Sequence, residues 1–247
     1  MNFIDIHCHI DVYNEDVKNV VKRAKEKNLN IIVNNGIDVK SNRETLSLAE
    51  KYPEIKAAIG IYPTNALKMS DKEIGEEIKF IDKNKHKITM IGEIGIDLKE
   101  NNELERQIEI FEKFIKLSKK LKLPIAVHSR NAEKECIEVL QKLKAEKVLM
   151  HCFSGGMSLV KTIVENGWYL SIPSSVKYNE HFQKIVQIAQ IENLFCETDS
   201  PYLHPLREKN NEPSNVLESY KKIAEIKQLS INEVQKKIYS NWKRIIN

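Results

Sequence analysis

Eight short apolar runs, separated by longer stretches of helical pattern, constrain this chain more than any other feature. They lie near Phe3 to His7, Ile31 to Asn34, Lys56 to Ile61, Thr89 to Ile94, Pro124 to His128, Val148 to His151, Trp168 to Ile172 and Leu194 to Glu197. Each has the length of a buried strand. The stretches between them, Glu15 to Lys27, Asn42 to Lys51, Asp71 to Lys83, Glu103 to Leu121, Ala132 to Leu143, Ser158 to Asn166 and Glu180 to Ala189, repeat apolar residues at helical spacing. The clearest is Glu103 to Leu121, where Ile108, Phe111, Ile115 and Leu121 recur amid Glu and Lys. Strand followed by helix is the βα unit, and eight such units fit a closed barrel. The expected fold is therefore α/β, a TIM (β/α)8 barrel. Beyond the eighth run, a polar loop from Pro201 to Pro213 leads to two further helical patterns, Val216 to Lys227 and Ile231 to Ile246, expected as additional C-terminal helices.

At 247 residues with 41% hydrophobic content, the chain is long enough for the core of such a barrel. No low-complexity linker divides it, so residues 1–247 are read as one domain. No apolar run nears the ~18 residues of a membrane span, and Met1-Asn2 leads into the first strand without a basic leader. The four cysteines lie far apart without a C-x-x-C pair, which argues against a zinc ribbon and gives no disulfide framework. A soluble protein of the reducing cytoplasm, with no membrane association and no evident obligatory protein partner, is the expectation. The net charge of +4 is dispersed over a Lys-rich surface nearly balanced by acids, so any attraction for phosphate must be local.

Ligand-type residues fall at the C-terminal ends of the apolar runs. The first ends in His7-Cys8-His9; alternation in an extended strand puts His7 and His9 on one side, about 7 Å apart at Cα, and Cys8 on the other. The fourth offers Glu93, the fifth His128, the sixth His151 and the eighth Asp199. In a barrel of parallel strands these ends converge on one face, where such enzymes build their sites. Imidazole with carboxylate suits Zn²⁺, Mn²⁺ or Fe²⁺, and Mg²⁺ less readily. Six donors exceed the needs of one tetrahedral ion but can hold two divalent ions if one carboxylate bridges. Two ions roughly 3.5 to 4 Å apart activate water and polarise a phosphoryl or carbonyl oxygen, so hydrolysis is the expected reaction class. Position sets these histidines apart from His86, His181 and His204, read as surface residues, the last of them near the mouth. Cys8 and Cys152 are read as small packed core residues.

With those residues in view, the chain resembles the TatD family of metal-dependent deoxyribonucleases, related to amidohydrolases. The resemblance spans the length and rests on Asp5-Ile6-His7-Cys8-His9, Gly92-Glu93-Ile94-Gly95-Ile96-Asp97, Leu123 to Ala132, His151-Cys152-Phe153-Ser154-Gly155, Glu197-Thr198-Asp199-Ser200-Pro201-Tyr202-Leu203 and Asn211-Glu212-Pro213. It implies a TIM barrel and metal-dependent hydrolysis of DNA, from an end or on single strands. It also implies His7, His9 and Asp199 around one ion, His128 and His151 around a second, and Glu93 between them, with Asp199 as proton acceptor. Asp5 and Glu197 are candidates to orient the imidazoles. Arg130 and Arg207 are candidates for substrate phosphate, with a salt bridge as the blander reading of Arg130.

Two departures from the family pattern stand out. Gly60-Ile61-Tyr62-Pro63 replaces Gly-x-His-Pro, and the segment after Asp97, Leu98-Lys99-Glu100-Asn101-Asn102, is short and polar where relatives carry aromatic residues. The donor set itself is intact. A hydrolase of a small amide, lactone or phosphate ester would use the same two ions, since a fold does not dictate its substrate. A non-catalytic binding barrel is a third reading, opposed by the completeness of the six donors.

Overall fold

The computed structural model describes residues 3–208 and 210–247, so Met1-Asn2 and position 209 of the last loop lie outside it. Eight parallel strands pair in sequence order: β1 (Phe3–Cys8), β2 (Leu29–Asn35), β3 (Ile55–Ile59), β4 (Ile88–Gly95), β5 (Ile125–His128), β6 (Val148–Met150), β7 (Tyr169–Pro173) and β8 (Leu194–Glu197). Helices cover them: α1 (Val17–Glu26), α2 (Val39–Lys51), α3 (Pro63–Ala66), α4 (Asp71–Lys83), α5 (Leu104–Leu121), α6 (Glu133–Lys142), α7 (Met157–Glu165) and α8 (Glu180–Ile188). The two C-terminal helices are α9 (Leu217–Lys227) and α10 (Ile231–Ile246). The expected barrel with extra C-terminal helices is the architecture found. Among the described residues no helix is long and apolar enough to cross a membrane.

Strand sequences read as continuous apolar runs because both faces are covered. In β1, Ile4, Ile6 and Cys8 are buried on one side and Asp5 and His7 on the other. Element ends moved where local hydrogen bonds intervene. α1 begins at Val17 because the Asp16 side chain caps Lys18 N–H, and α2 begins at Val39 because Asp38 and Ser41 form a reciprocal cap. β3 stops at Ile59, and Pro63 opens a short helix absent from the sequence reading. β6 ends at Met150, although His151 N–H still donates to the Val127 carbonyl at 3.1 Å.

The ring closes between its first and last strands largely by bonds from beyond β8. Asp199 N–H donates to the His7 carbonyl at 3.0 Å, and His9 N–H donates to the Ser200 carbonyl at 2.8 Å. The Asp5 carboxylate accepts from Thr198 N–H at 2.9 Å and from its hydroxyl at 2.5 Å. Near the other end of β1, the buried Tyr220 hydroxyl of α9 accepts from Ile4 N–H at 3.1 Å and donates to the Ile4 carbonyl at 3.2 Å. The main chain that zips the barrel thus carries the donors His7, His9 and Asp199.

Candidate metal centre

All six donors meet at the C-terminal end of the barrel. His7 Nε2 lies 3.2 Å from His9 Nε2, and Glu93 Oε2 is 3.4 Å from each. Asp199 Oδ1 stands 3.6 Å from His9 Nε2 and 3.9 Å from His7 Nε2. The other oxygen of Glu93 faces the opposite pair: Oε1 is 2.8 Å from His128 Nδ1 and 3.2 Å from His151 Nε2. The two carboxylate oxygens of Glu93 therefore divide the donors into two groups. His7 borders both, because its ring stacks on His151 with centroids 3.8 Å apart.

Donor separations and charge both fit cations. Ligands ~2.1 Å from one ion sit roughly 3.0 to 3.4 Å from one another in octahedral or tetrahedral coordination. The triads His7, Glu93, His151 and His7, His9, Asp199 are drawn within 4.8 Å of one another, and His128 reaches the cluster at Glu93 Oε1. Burial alone would raise the Glu93 pKa, but His151, His128 and His7 hold it well below the usual carboxylate range. Asp199 is held low against burial by His9, His151 and His7. In return, and also against burial, Asp199 and Glu93 push His9 up to about 10, while Glu93 and Glu197 raise His151. His7 is lowered, by burial and by its stacked neighbour His151. Ionised carboxylates that pull protons onto adjacent imidazoles make a site whose charge a divalent cation would satisfy.

Neighbouring groups fix the rings through their other nitrogens. His9 Nδ1 is 2.8 Å from the Asn35 carbonyl, and His151 Nδ1 is 3.4 Å from Glu197 Oε2. His128 Nε2 is 2.8 Å from Asp97 Oδ2, which also accepts from the Tyr62 hydroxyl at 2.7 Å; that hydroxyl is 3.1 Å from His128 Nε2. The tyrosine that departs from the family pattern thus joins Asp97 in holding a donor. Neither Asp97 nor Asn35 was singled out by role from sequence. Their signal lay in strand register: Gly95 pairs with His128, which brings Asp97 alongside the imidazole. Gly95 is needed there, at φ 142°, since a Cβ would fall 1.9 Å from the His128 carbonyl oxygen.

The other candidates differ in what they touch. Alternation places Asp5 on the inner face with His7, but its carboxylate accepts from Thr198 and from His7 backbone N–H at 3.3 Å, while His7 Nδ1 has no hydrogen-bond partner among the described residues. Asp5 thus secures the main chain on either side of the seam, including the backbone of His7 itself. Arg130 is exposed and only loosely paired, 3.6 Å from Glu100. Arg207 is also exposed, with its guanidinium 4.4 Å above the Tyr178 ring. Asp199 takes a left-handed backbone, φ 51°, where β8 turns into the closing segment. His86 is exposed, while His181 is half-buried against Phe153 and Phe182. His204 Nδ1 accepts Leu206 N–H at 3.1 Å and so braces the last loop. Cys8 is buried, its thiol 3.4 Å from the Val33 carbonyl, and Cys152 is half-buried against the core.

Comparison with known proteins bears on the family and the fold. The family model for TatD related DNases matches residues 4–247. A protein of Methanocaldococcus jannaschii, named as an uncharacterized metal-dependent hydrolase, is 38% identical over 98% of this chain and 95% of its own length. Human deoxyribonuclease TATDN3 is 32% identical, with 95% of this chain and 90% of the human protein covered. The crystal structure of a TatD homologue from Escherichia coli superposes with a TM-score of 0.92 at 24% identity, covering 99% of this chain and 98% of that one, a likeness that bears on the fold alone. With eight parallel strands, a clustered His and carboxylate set and a family match from the first strand to the last helix, this chain belongs to the TatD family of metal-dependent hydrolases.

Proposed function

We propose that this protein hydrolyses phosphodiester bonds of DNA, at an end or on single strands, with two divalent ions. The carrying observation is the division of donors by Glu93, with Oε2 toward His7, His9 and Asp199 and Oε1 toward His128 and His151. The deoxyribonuclease name of the human relative supports DNA as substrate. When bound, the ions supply a hydroxide near neutral pH and neutralise charge on the phosphoryl oxygens. His7, His9 and Asp199 would hold one, His128 and His151 the other, and Glu93 would bridge.

Asp199 is the most solvent-accessible of the two donor carboxylates, its side chain 16% exposed against 3% for Glu93. That exposure supports Asp199 as the group that accepts the proton of an attacking water at a carboxylate oxygen, with the more enclosed Glu93 as a ligand. Asp97 and Tyr62 keep His128 Nδ1 turned toward Glu93, and Glu197 does the same for His151 Nε2.

A labelled single-stranded oligonucleotide, offered to chelator-stripped protein with Mn²⁺ or Mg²⁺ restored, tests this reading. Ion-dependent release of nucleotides is expected. Glu93→Ala should abolish it and weaken both ion sites by calorimetry, and Asp199→Asn should lower turnover by at least about 100-fold. Hydrolysis of small esters or amides with no nuclease activity would instead assign the centre to a small-molecule substrate, and normal turnover in Glu93→Ala would remove the bridging role.

A further inference from the structure

We propose that the loops after β7 and β8 form a stacking platform that grips the bases of a single DNA strand next to the metal centre. This inference rests on the phosphodiesterase reading and adds where, and by which side chains, the strand is held. Large apolar side chains are exposed at Tyr202 and Leu206, 59% and 58%, on the loop after β8, and at Tyr178 after β7. Because β7 and β8 are adjacent, these residues occupy one sector of the mouth. The two loops touch: Arg207 stacks on Tyr178, and the Tyr178 hydroxyl donates to the His204 carbonyl at 3.4 Å.

The sector has the parts a base platform requires. The Tyr202 ring lies 6.4 Å from His9, so a base stacked on it would leave its phosphate beside the donors. Its backbone is anchored, since its carbonyl accepts from Asn211 Nδ2 at 2.7 Å and its N–H donates to the Asp199 carbonyl at 2.8 Å. A ring held on a fixed backbone loses little freedom when it takes up a ligand. Arg207 adds a planar cation whose stacking on an aromatic face leaves its charge available to phosphate. The segment after Asp97 offers no comparable platform: it carries no aromatic residue, and Glu100 there lies 3.6 Å from Arg130. Stacking tolerates any base, so the platform fits an enzyme that processes a strand without reading it.

The test is fluorescence anisotropy of ion-loaded protein with short phosphorothioate oligonucleotides that resist cleavage, one intact and one of abasic sugars. Intact strands should bind more tightly, and Tyr202→Ala and Tyr178→Ala should each weaken intact binding about 5- to 30-fold while leaving abasic binding nearly unchanged. Tyr202→Trp should retain the preference, which separates stacking from general loop damage. Equal affinity for intact and abasic strands, or full preference in both alanine variants, would overturn the platform while leaving phosphodiester cleavage standing. Failure of either strand to bind, together with no cleavage of ordinary oligonucleotides, would instead remove the DNA reading itself.

Discussion

At the scale of single residues, the proposed centre would set protons and metal ions in competition for the same nitrogens. His9 rises from 6.5 to about 10 in the folded chain, so its contribution to stability is fully present below pH 6.5 and is lost as pH climbs toward 10. His151 shifts in the same direction. Ion binding runs the opposite way, because each imidazole must first give up its proton. Chelator-stripped protein should therefore lose thermal stability from pH 6.5 upward, while the gain in Tm produced by Mn²⁺ grows between about pH 6.5 and 8.5. A stripped protein with a flat Tm over that interval would show that Asp199 and Glu93 do not retain the His9 proton. Asp97→Asn is the corresponding test at His128, since it takes away the charge facing Nε2. On the two-ion proposal it should weaken the affinity of the ion held by His128 and His151 by about 10- to 100-fold and leave the other nearly unchanged, read by titration calorimetry; equal loss at both would contradict the assignment.

At the scale of elements, the β1 and β8 seam is the weak line of the barrel, and side chains reinforce it. Tyr220 serves both backbone groups of Ile4 from a helix 216 residues away in sequence. Tyr220→Phe would leave those groups buried and unpaired at a cost of about 1–3 kcal/mol. The expected fall in Tm is roughly 2–10 °C, and an unchanged Tm would show that the seam relaxes around the loss. Gly95→Ala should do greater local harm, because its methyl group would collide with the His128 carbonyl and drive β4 from β5. On the two-ion proposal, loss of the ion held by His128 and His151 from a protein that still folds by circular dichroism is the expected result. Retention of both ions would mean that β5 yields without moving His128.

At the scale of the whole molecule, the barrel and the convergence of six His and carboxylate side chains on its C-terminal end were legible in sequence because both depend on local pattern. An apolar run that stops at a histidine or acid states where a strand ends and what stands at its tip. Contacts set by strand register were not legible in the same way. Asp97 meets His128 only because Gly95 pairs with that residue across the sheet, and Tyr220 meets Ile4 only after nearly the entire chain has wound round. Alternation placed Asp5 on the correct face but could not say that Thr198 would claim its carboxylate ahead of the His7 ring. The closing bonds Asp199 N–H to His7 and His9 N–H to Ser200 carry one more implication. During synthesis the histidines emerge first and must wait for nearly two hundred residues before their carboxylate partner arrives. A nascent or broken-off fragment that stops short of that point lacks part of the His and carboxylate cluster, so the candidate centre stays unassembled until the ring is complete.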